Sequence, residues 1–302
     1  MPIFSRFGTG SHEFRLTDSP DDPRPARDGE DDALTEKRIS GEQVYAGALL
    51  DVRRDRARLP DGGEAVREYI VHPGAVLIVP VKDDGRFVVE RQFRYPHNRT
   101  FLEFPAGKLD PGESALATGM RELIEESGYT ASVWTRLGII HPVISYSTEA
   151  IELYAARGLA HVGAKLDHGE FLEIVECTEA ELYAAIDEAR VTDAKTIAAL
   201  LMYSRWTGAP SRSMRMRIRG AVQAVGYRDF AMRAARDAGI AGWVRNRDDG
   251  SVEAQVQGDT AACERFTENC RRGPRAARVE RIEITRSPWQ AALAGFELVH
   301  SD

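Results

Sequence analysis

Residues 107–129 read GKLDPGESALATGMRELIEESGY. From Glu113 onward the apolar residues recur at helical spacing, and Gly128 is a suitable C-terminal stop. At about 100° per residue, Leu116, Met120, Leu123 and Ile124 share one side of this helix, which should pack on a sheet. Glu122, Glu125 and Glu126 occupy an arc of roughly 100° on the other side. Like charges at i,i+4 cost a helix about 0.2–0.5 kcal/mol, so something positive belongs among them. A solvated acidic face is the ordinary reading of such an arc. Here the preceding PAGKLDPGE (105–113), shaped by Pro and Gly, delivers backbone close to that face. Hard oxygen ligands of this kind suit Mg²⁺ or Mn²⁺. Glu113 lies on the far side, where it favours the helix dipole and can pair with Arg121.

Outward from this helix the chain reads as alternating strands and helices, an α/β protein. Residues 1–40 form an acidic segment rich in Pro and Asp and poor in apolar residues, expected to be disordered. EQVYAGALLDVRRDRARL and AVREYIVH flank PDGG (60–63), a hairpin signal. GAVLIVPV (74–81) and RFVVERQF flank KDDG (82–85), a second hairpin signal. FLEFPAG (101–107) is a short strand entering a loop. Further strands are expected at 137–141, 150–157 and 171–177, and helices at 178–190 and 193–206. TGAPSRS (207–213) has linker composition. Beyond it the pattern is βαββα, with a last strand near 278–285 or 295–299. The stretch 214–302 carries 15 Arg, no Lys and 12 acidic residues, a net +3 within a chain of net −7. That shift also marks a boundary near residue 210.

The spacing from Gly107 through Glu113 to Arg121-Glu122-Leu123, Glu125-Glu126 and Gly128 matches every position of the Nudix box. Residues 41–206 therefore resemble a Nudix hydrolase, which implies an α/β/α sandwich and cleavage of a nucleoside diphosphate linked to another moiety. The resemblance implies metal ligands at the Ala106 carbonyl, Glu122 and Glu126, with Glu125 close by. Mg²⁺ or Mn²⁺ held there would neutralise the diphosphate and activate water. REYIVHPGAV (67–76), RQFRYP (91–96), LEFPAGKLD (102–110) and HPVISYSTEAIELY (141–154) are similar to ADP-ribose pyrophosphatases. That likeness implies substrate contacts at Arg67, Arg94 and Glu103, and a loop glutamate that prepares the attacking water, here Glu170. It also implies a homodimer. The chain has PVISYS where this group often has Ser-Pro-Gly.

IRGAVQAVGYRDF (218–230) is a strand, a turn of small residues and an arginine opening a helix. Such a turn can cradle an anion on backbone N–H groups, aided by the helix N-terminus. With GWVRNRDDGSVEAQVQG (242–258) it resembles the two acylphosphatase signatures over 214–302. The resemblance implies a ferredoxin-like βαββαβ domain that hydrolyses acyl phosphates without a metal. Gln223, Ala224, Val225, Gly226 and Tyr227 would form the cradle, Arg228 would bind phosphate, and Asn246 would position water. Ala224 stands where Gly is usual and Tyr227 where Phe is common. A domain of this fold could instead be regulatory or bind RNA, with Trp243 as the aromatic able to stack on a base.

No apolar run approaches the roughly 18–20 residues of a membrane helix. No secretory signal is expected. Cys177, Cys263 and Cys270 are too few for a disulfide framework or a zinc site. The seven histidines show no ligand spacing. The sequence thus predicts a cytoplasmic, bifunctional hydrolase of small nucleoside diphosphate and acyl phosphate substrates, with neither membrane nor nucleic acid as partner.

Overall fold

The computed structural model describes residues 33–166, 169 and 171–300. They divide into two compact units. One ends at Gly74 and includes Val143–Glu149; the other comprises Ala75–Pro142 and the chain from Ala150 onward.

The first unit is an antiparallel sheet of β1 (Lys37–Ala46), β2 (Asp51–Arg58) and β3 (Glu64–Val71) in that order. The PDGG turn forms as expected, with the Leu59 N–H donating to the Gly63 carbonyl at 2.8 Å. The stretch expected as one long strand is two, β1 and β2, with the Gly47 N–H closing onto the Leu50 carbonyl. Ordered structure also starts earlier than residue 41. Lys37 pairs with Arg58, and Arg38 donates to Asp55, which is buried and also takes the Tyr69 hydroxyl. Residues 1–32 lie outside the described residues.

In the second unit, β4 (Ala75–Pro80) is buried throughout. Its side chains alternate between two layers. Val76 and Ile78 pack with Leu123, Trp134 and Ala156, while Leu77 and Val79 join the larger core with Phe104, Ala199 and Leu200. The turn after β4 forms, but the expected second hairpin does not. Only Val81 and Phe87 bridge, and β5 (Phe87–Arg94) then leaves for a separate sheet. That sheet is completed by β6 (Arg99–Glu103) and β10 (Leu172–Cys177), on either side of β5. β4 is paired along both edges, by β7 (Ala106–Lys108) and β9 (Ile151–His161), which leaves no edge for β5.

β7 pairs with one side of β4, and β9 runs parallel on the other. α1 (Ala115–Ser127) begins at Ser114, whose hydroxyl accepts from the Ala117 N–H, and stops at Gly128 in the left-handed region. Its apolar side covers the sheet. Gly119 allows the close approach, since a Cβ there would lie 3.3 Å from Val76. α2 (Glu179–Asp187), with a Thr178/Glu181 capping box, and α3 (Ala194–Thr207) follow. The expected α/β/α sandwich is complete with β8 (Tyr129–Ile140), a strand much longer than the 137–141 expected.

The seven-residue linker is shorter in the structure. α3 ends at Thr207, and β11 (Ser211–Ala221) begins after three residues. Those residues are tied down, since the Thr260 N–H donates to the Pro210 carbonyl and the Thr260 hydroxyl to that of Ala209. α4 (Tyr227–Ala238), β12 (Ala241–Asn246), β13 (Val252–Asp259), α5 (Thr260–Arg272) and β14 (Arg278–Arg286) give the βαββαβ order. Met214, Met216 and Ile218 alternate inward along β11 and meet Ala231, Ala235, Cys263 and Phe266 of the helices. Both positions proposed for the last strand are occupied. β14 pairs with β11, and the short β15 (Phe296–Leu298) adds parallel to β12.

β14 also pairs, in parallel, with β8: Ile282 lies opposite Val133 and Ile284 opposite Thr135. The result is one nine-stranded sheet, β15-β12-β13-β11-β14-β8-β9-β4-β7. Glu264 of α5 clamps the junction, binding Arg157 of β9 at 2.5 Å and also Arg212 of β11. Arg212 stacks on the buried Trp206, 4.5 Å from the ring centre. The three cysteines are free and buried, which pushes Cys177 and Cys263 up to about 11 and Cys270 up to about 12. No helix among the described residues is long and apolar enough to cross a membrane.

Two candidate active sites

The helix α1 holds Glu122, Glu125 and Glu126 against the loop at Ala106. Glu126 is buried, and its carboxylate accepts the Ala106 N–H at 3.1 Å. Glu122 lies so close to Gly107 that a Cβ there would sit 1.9 Å from its Oε1. The loop is pinned from its other side by β4, where the Ile78 N–H donates to the Pro105 carbonyl. Arg121 answers the charge problem within the helix. Its Nη1 donates to Glu122 at 2.9 Å and to Glu125 at 2.8 Å, and its Nη2 reaches Glu113 at 3.1 Å. Burial alone would lower the Arg121 pKa; Glu113 and Glu125 outweigh it and raise it further.

Among the described residues no three His, Cys, Asp or Glu side chains form a ready metal cage. That is compatible with Mg²⁺, which keeps several waters and takes one or two carboxylates plus substrate phosphates. Glu122 and Glu126 supply oxygen only, converge on backbone, and stand beside a third carboxylate at Glu125. The donor set fits a hard divalent cation. Glu170 lies outside the described residues. The described start of its loop follows β9 and passes the end of α1, where the Lys165 N–H donates to the Glu125 carbonyl.

Arg94 and Glu103 are brought together. Arg94 donates from Nε and Nη2 to the two Glu103 oxygens, at 2.7 and 2.8 Å. Glu103 is 2% exposed. Burial would raise its pKa, but Arg94 and Lys195 prevail and hold it below the usual carboxylate range. Lys195, which sequence reasoning missed, also bonds Glu103. Arg67 lies in the first unit, on β3, paired with Glu36 at 2.7 Å.

At the second site β11 runs into the turn 222–226, which feeds α4. Ala224 has φ +59° and Gly226 φ +73°, both in the left-handed region. Alternation of this kind turns successive N–H groups toward one point, an anion-binding nest. The N-terminus of α4 has no side-chain cap, and the first bond back to the turn is from the Phe230 N–H to the Gly226 carbonyl. Gln223 fastens the turn to the β12–β13 connection. Its amide donates to the carbonyls of Arg247 at 2.7 Å and Ser251 at 2.8 Å, next to Asn246. Arg228 is half-buried and has no hydrogen bond or ion pair among the described residues. A guanidinium in that setting is ready for an anion.

Tyr227 is buried, and its hydroxyl donates to the Cys270 carbonyl at 2.6 Å. That bond explains why Tyr is accepted where Phe is common, since a buried hydroxyl needs a partner. Burial raises its pKa. Trp243 already carries two guanidinium groups, Arg215 at 5.4 Å and Arg245 at 5.3 Å, so its ring is not an open stacking platform.

Comparison with known proteins places both domains in families. The NUDIX domain family matches residues 71–200, a nucleoside diphosphate sugar hydrolase N-terminal domain matches 36–70, and the acylphosphatase family matches 214–298. The chain is 37% identical over 170 residues to an ADP-ribose pyrophosphatase of Bacillus subtilis, covering 56% of this chain and 92% of that protein. It is 44% identical over 92 residues to an acylphosphatase of Salinibacter ruber, covering 30% of this chain and 96% of that protein. A crystal structure of an ADP compounds hydrolase superposes with a TM-score of 0.54 at 25% identity, over 59% of this chain and 97% of that one. The carboxylate helix and the backbone nest thus sit on their expected frames, and the chain belongs to the Nudix hydrolases, continued in the same polypeptide by an acylphosphatase domain.

Proposed function

We propose that the Nudix site hydrolyses the diphosphate of ADP-ribose or a related nucleoside diphosphate derivative. The observation that carries this reading is the convergence of Glu122 and Glu126 on the Ala106–Gly107 backbone. Glu122, Glu126 and the Ala106 carbonyl would hold Mg²⁺ or Mn²⁺, with Glu125 beside them. When bound, the cation supplies charge neutralisation of the diphosphate and activation of water. Arg67 and Arg94 would bind the substrate, and Glu170 would prepare the attacking water. The acylphosphatase site would hydrolyse acyl phosphates without a metal. There Arg228 and the N–H groups of residues 223–227 hold the phosphate, and Asn246 orients water. Phosphoryl transfer asks mainly for positioning and charge stabilisation, so this set is sufficient.

The reading extends to a cytoplasmic homodimer. Exposed Val44, Tyr45, Leu49 and Val66 of the first unit support the dimer, and the free cysteines suit a reducing compartment. The full-length protein should cleave ADP-ribose with Mg²⁺, lose that activity in EDTA, and keep acyl phosphate turnover in both. Absence of ADP-ribose cleavage with Mg²⁺ overturns the Nudix reading. Loss of both activities in EDTA points to one composite site instead.

A further inference from the structure

Glu103 was expected to touch substrate, yet both its oxygens are taken. Arg94 forks across them, and Lys195 adds a third donor to the oxygen that receives Arg94 Nη2. Lys195 is itself held by Asp193 at 2.9 Å, and its side chain is 17% exposed. Asp193 is the N-cap of α3 and also accepts from the Thr196 N–H and hydroxyl. Thr196 in turn accepts the Phe104 N–H at 3.1 Å. The first turn of α3 therefore grips two successive residues, Glu103 and Phe104, just before Pro105 and Ala106 of the candidate metal loop.

Arg94 uses Nε and one Nη2 hydrogen on Glu103. Of its five N–H donors, three remain for another anion. Its side chain is 40% exposed, whereas that of Glu103 is 2%. The arginine faces outward and the carboxylate does not. Glu103 also lies directly opposite Glu90 in the β5–β6 pair, and both are buried. Like charges so placed repel, which favours a second cation beside Arg94.

We infer that Lys195 is a positioning residue: it fixes the Glu103 carboxylate, and through it the plane in which Arg94 presents its free N–H groups to the substrate diphosphate. This rests on the proposed Nudix reading, in which Arg94 meets substrate. A bidentate Arg–carboxylate pair gains specificity from planarity, so orientation of the carboxylate passes directly to the guanidinium. Glu103 acts behind Arg94 rather than on the substrate.

The test is steady-state cleavage of ADP-ribose with Mg²⁺ by the full chain, scored as KM and kcat separately. Lys195→Met should raise KM about tenfold and leave kcat within about threefold, the signature of lost uniform binding. Lys195→Arg should restore most of the KM. In an Arg94→Ala background, Lys195→Met should have no further effect. An unchanged KM, or the same increment with and without Arg94, overturns the inference. Should Lys195→Met fail to fold by thermal melting, Glu103→Gln is scored in the same two backgrounds with the same criteria. Wild type that cleaves no ADP-ribose overturns the function and the brace together. Wild type that cleaves it while Lys195→Met keeps its KM overturns the brace alone.

Discussion

The helices α1 and α4 face opposite charge problems. α1 gathers carboxylates, and its expected substrate is also negative. On the proposed reading protein and diphosphate would meet there with a cation between them, and the carboxylate oxygens of Glu122 and Glu126 suit one. α4 gathers the opposite: an uncapped N-terminus, a nest of N–H groups and an arginine with no partner among the described residues. An anion can dock on it directly. On the proposed reading one chain carries a site that would need a metal and a site that would not, and the difference lies in whether side-chain oxygens or backbone hydrogens line it.

The contrast is broken most severely at Glu126. Glu126→Gln keeps the shape and can still accept the Ala106 N–H, but removes a carboxylate charge that would hold the cation, whose charge stabilisation is worth several kcal/mol at the reaction. Diphosphate cleavage should fall by about 10³-fold, at roughly tenfold per 1.4 kcal/mol. Acyl phosphate turnover and melting temperature should hold; wild-type ADP-ribose kinetics in this variant would remove Glu126 from the site. At the other helix, Arg228→Lys exchanges a planar fork for a point charge. Acyl phosphate kcat/KM should drop roughly 10²-fold, in the range for losing one preorganised donor. ADP-ribose cleavage should stay unchanged. Wild-type acyl phosphate turnover in this variant would remove Arg228 from the site, whereas no turnover in the unaltered protein would return the second domain to a regulatory role.

The smallest effect is expected at Ala224. Its left-handed φ of +59° costs a non-glycine residue about 1–2 kcal/mol, and Gly would return about 0.5–1 kcal/mol of that as lost chain entropy. Ala224→Gly should therefore stabilise by about 1 kcal/mol or less in denaturant titration, with turnover equal or higher. A strong loss of turnover would show that the methyl group, and not the backbone shape, matters in the nest.

The parts legible in sequence are those fixed by short-range spacing. α1, its three carboxylates and its Gly128 stop follow from period and motif. So do the turn before Arg228 and the pair of Glu113 with Arg121. Contacts between distant residues were not legible. Lys195 and Glu103 meet across 92 positions, and nothing local to either announces the other. KDDG carries hairpin chemistry, and its turn forms, but turn residues cannot specify which sheet receives the departing β5. The two positions for the last strand looked like alternatives because each is short and amphipathic; in the structure one occupies the sheet interior and the other an edge. Ala224 was an open question until its φ showed that the left-handed turn is retained.

The parallel join of β8 to β14 has a consequence for synthesis. β8 is finished long before Ile282 and its neighbours leave the ribosome. At about 5–20 residues per second, the edge at Val133–Thr135 waits on the order of ten seconds for its partner. An unpaired strand edge is a template for other chains during that interval. Truncation within α5, or a stalled ribosome there, would leave the first enzyme made but its sheet open. A chain that carries both domains makes them in fixed one-to-one amounts, and a defect that stops the second from closing the sheet puts the first at risk of aggregation.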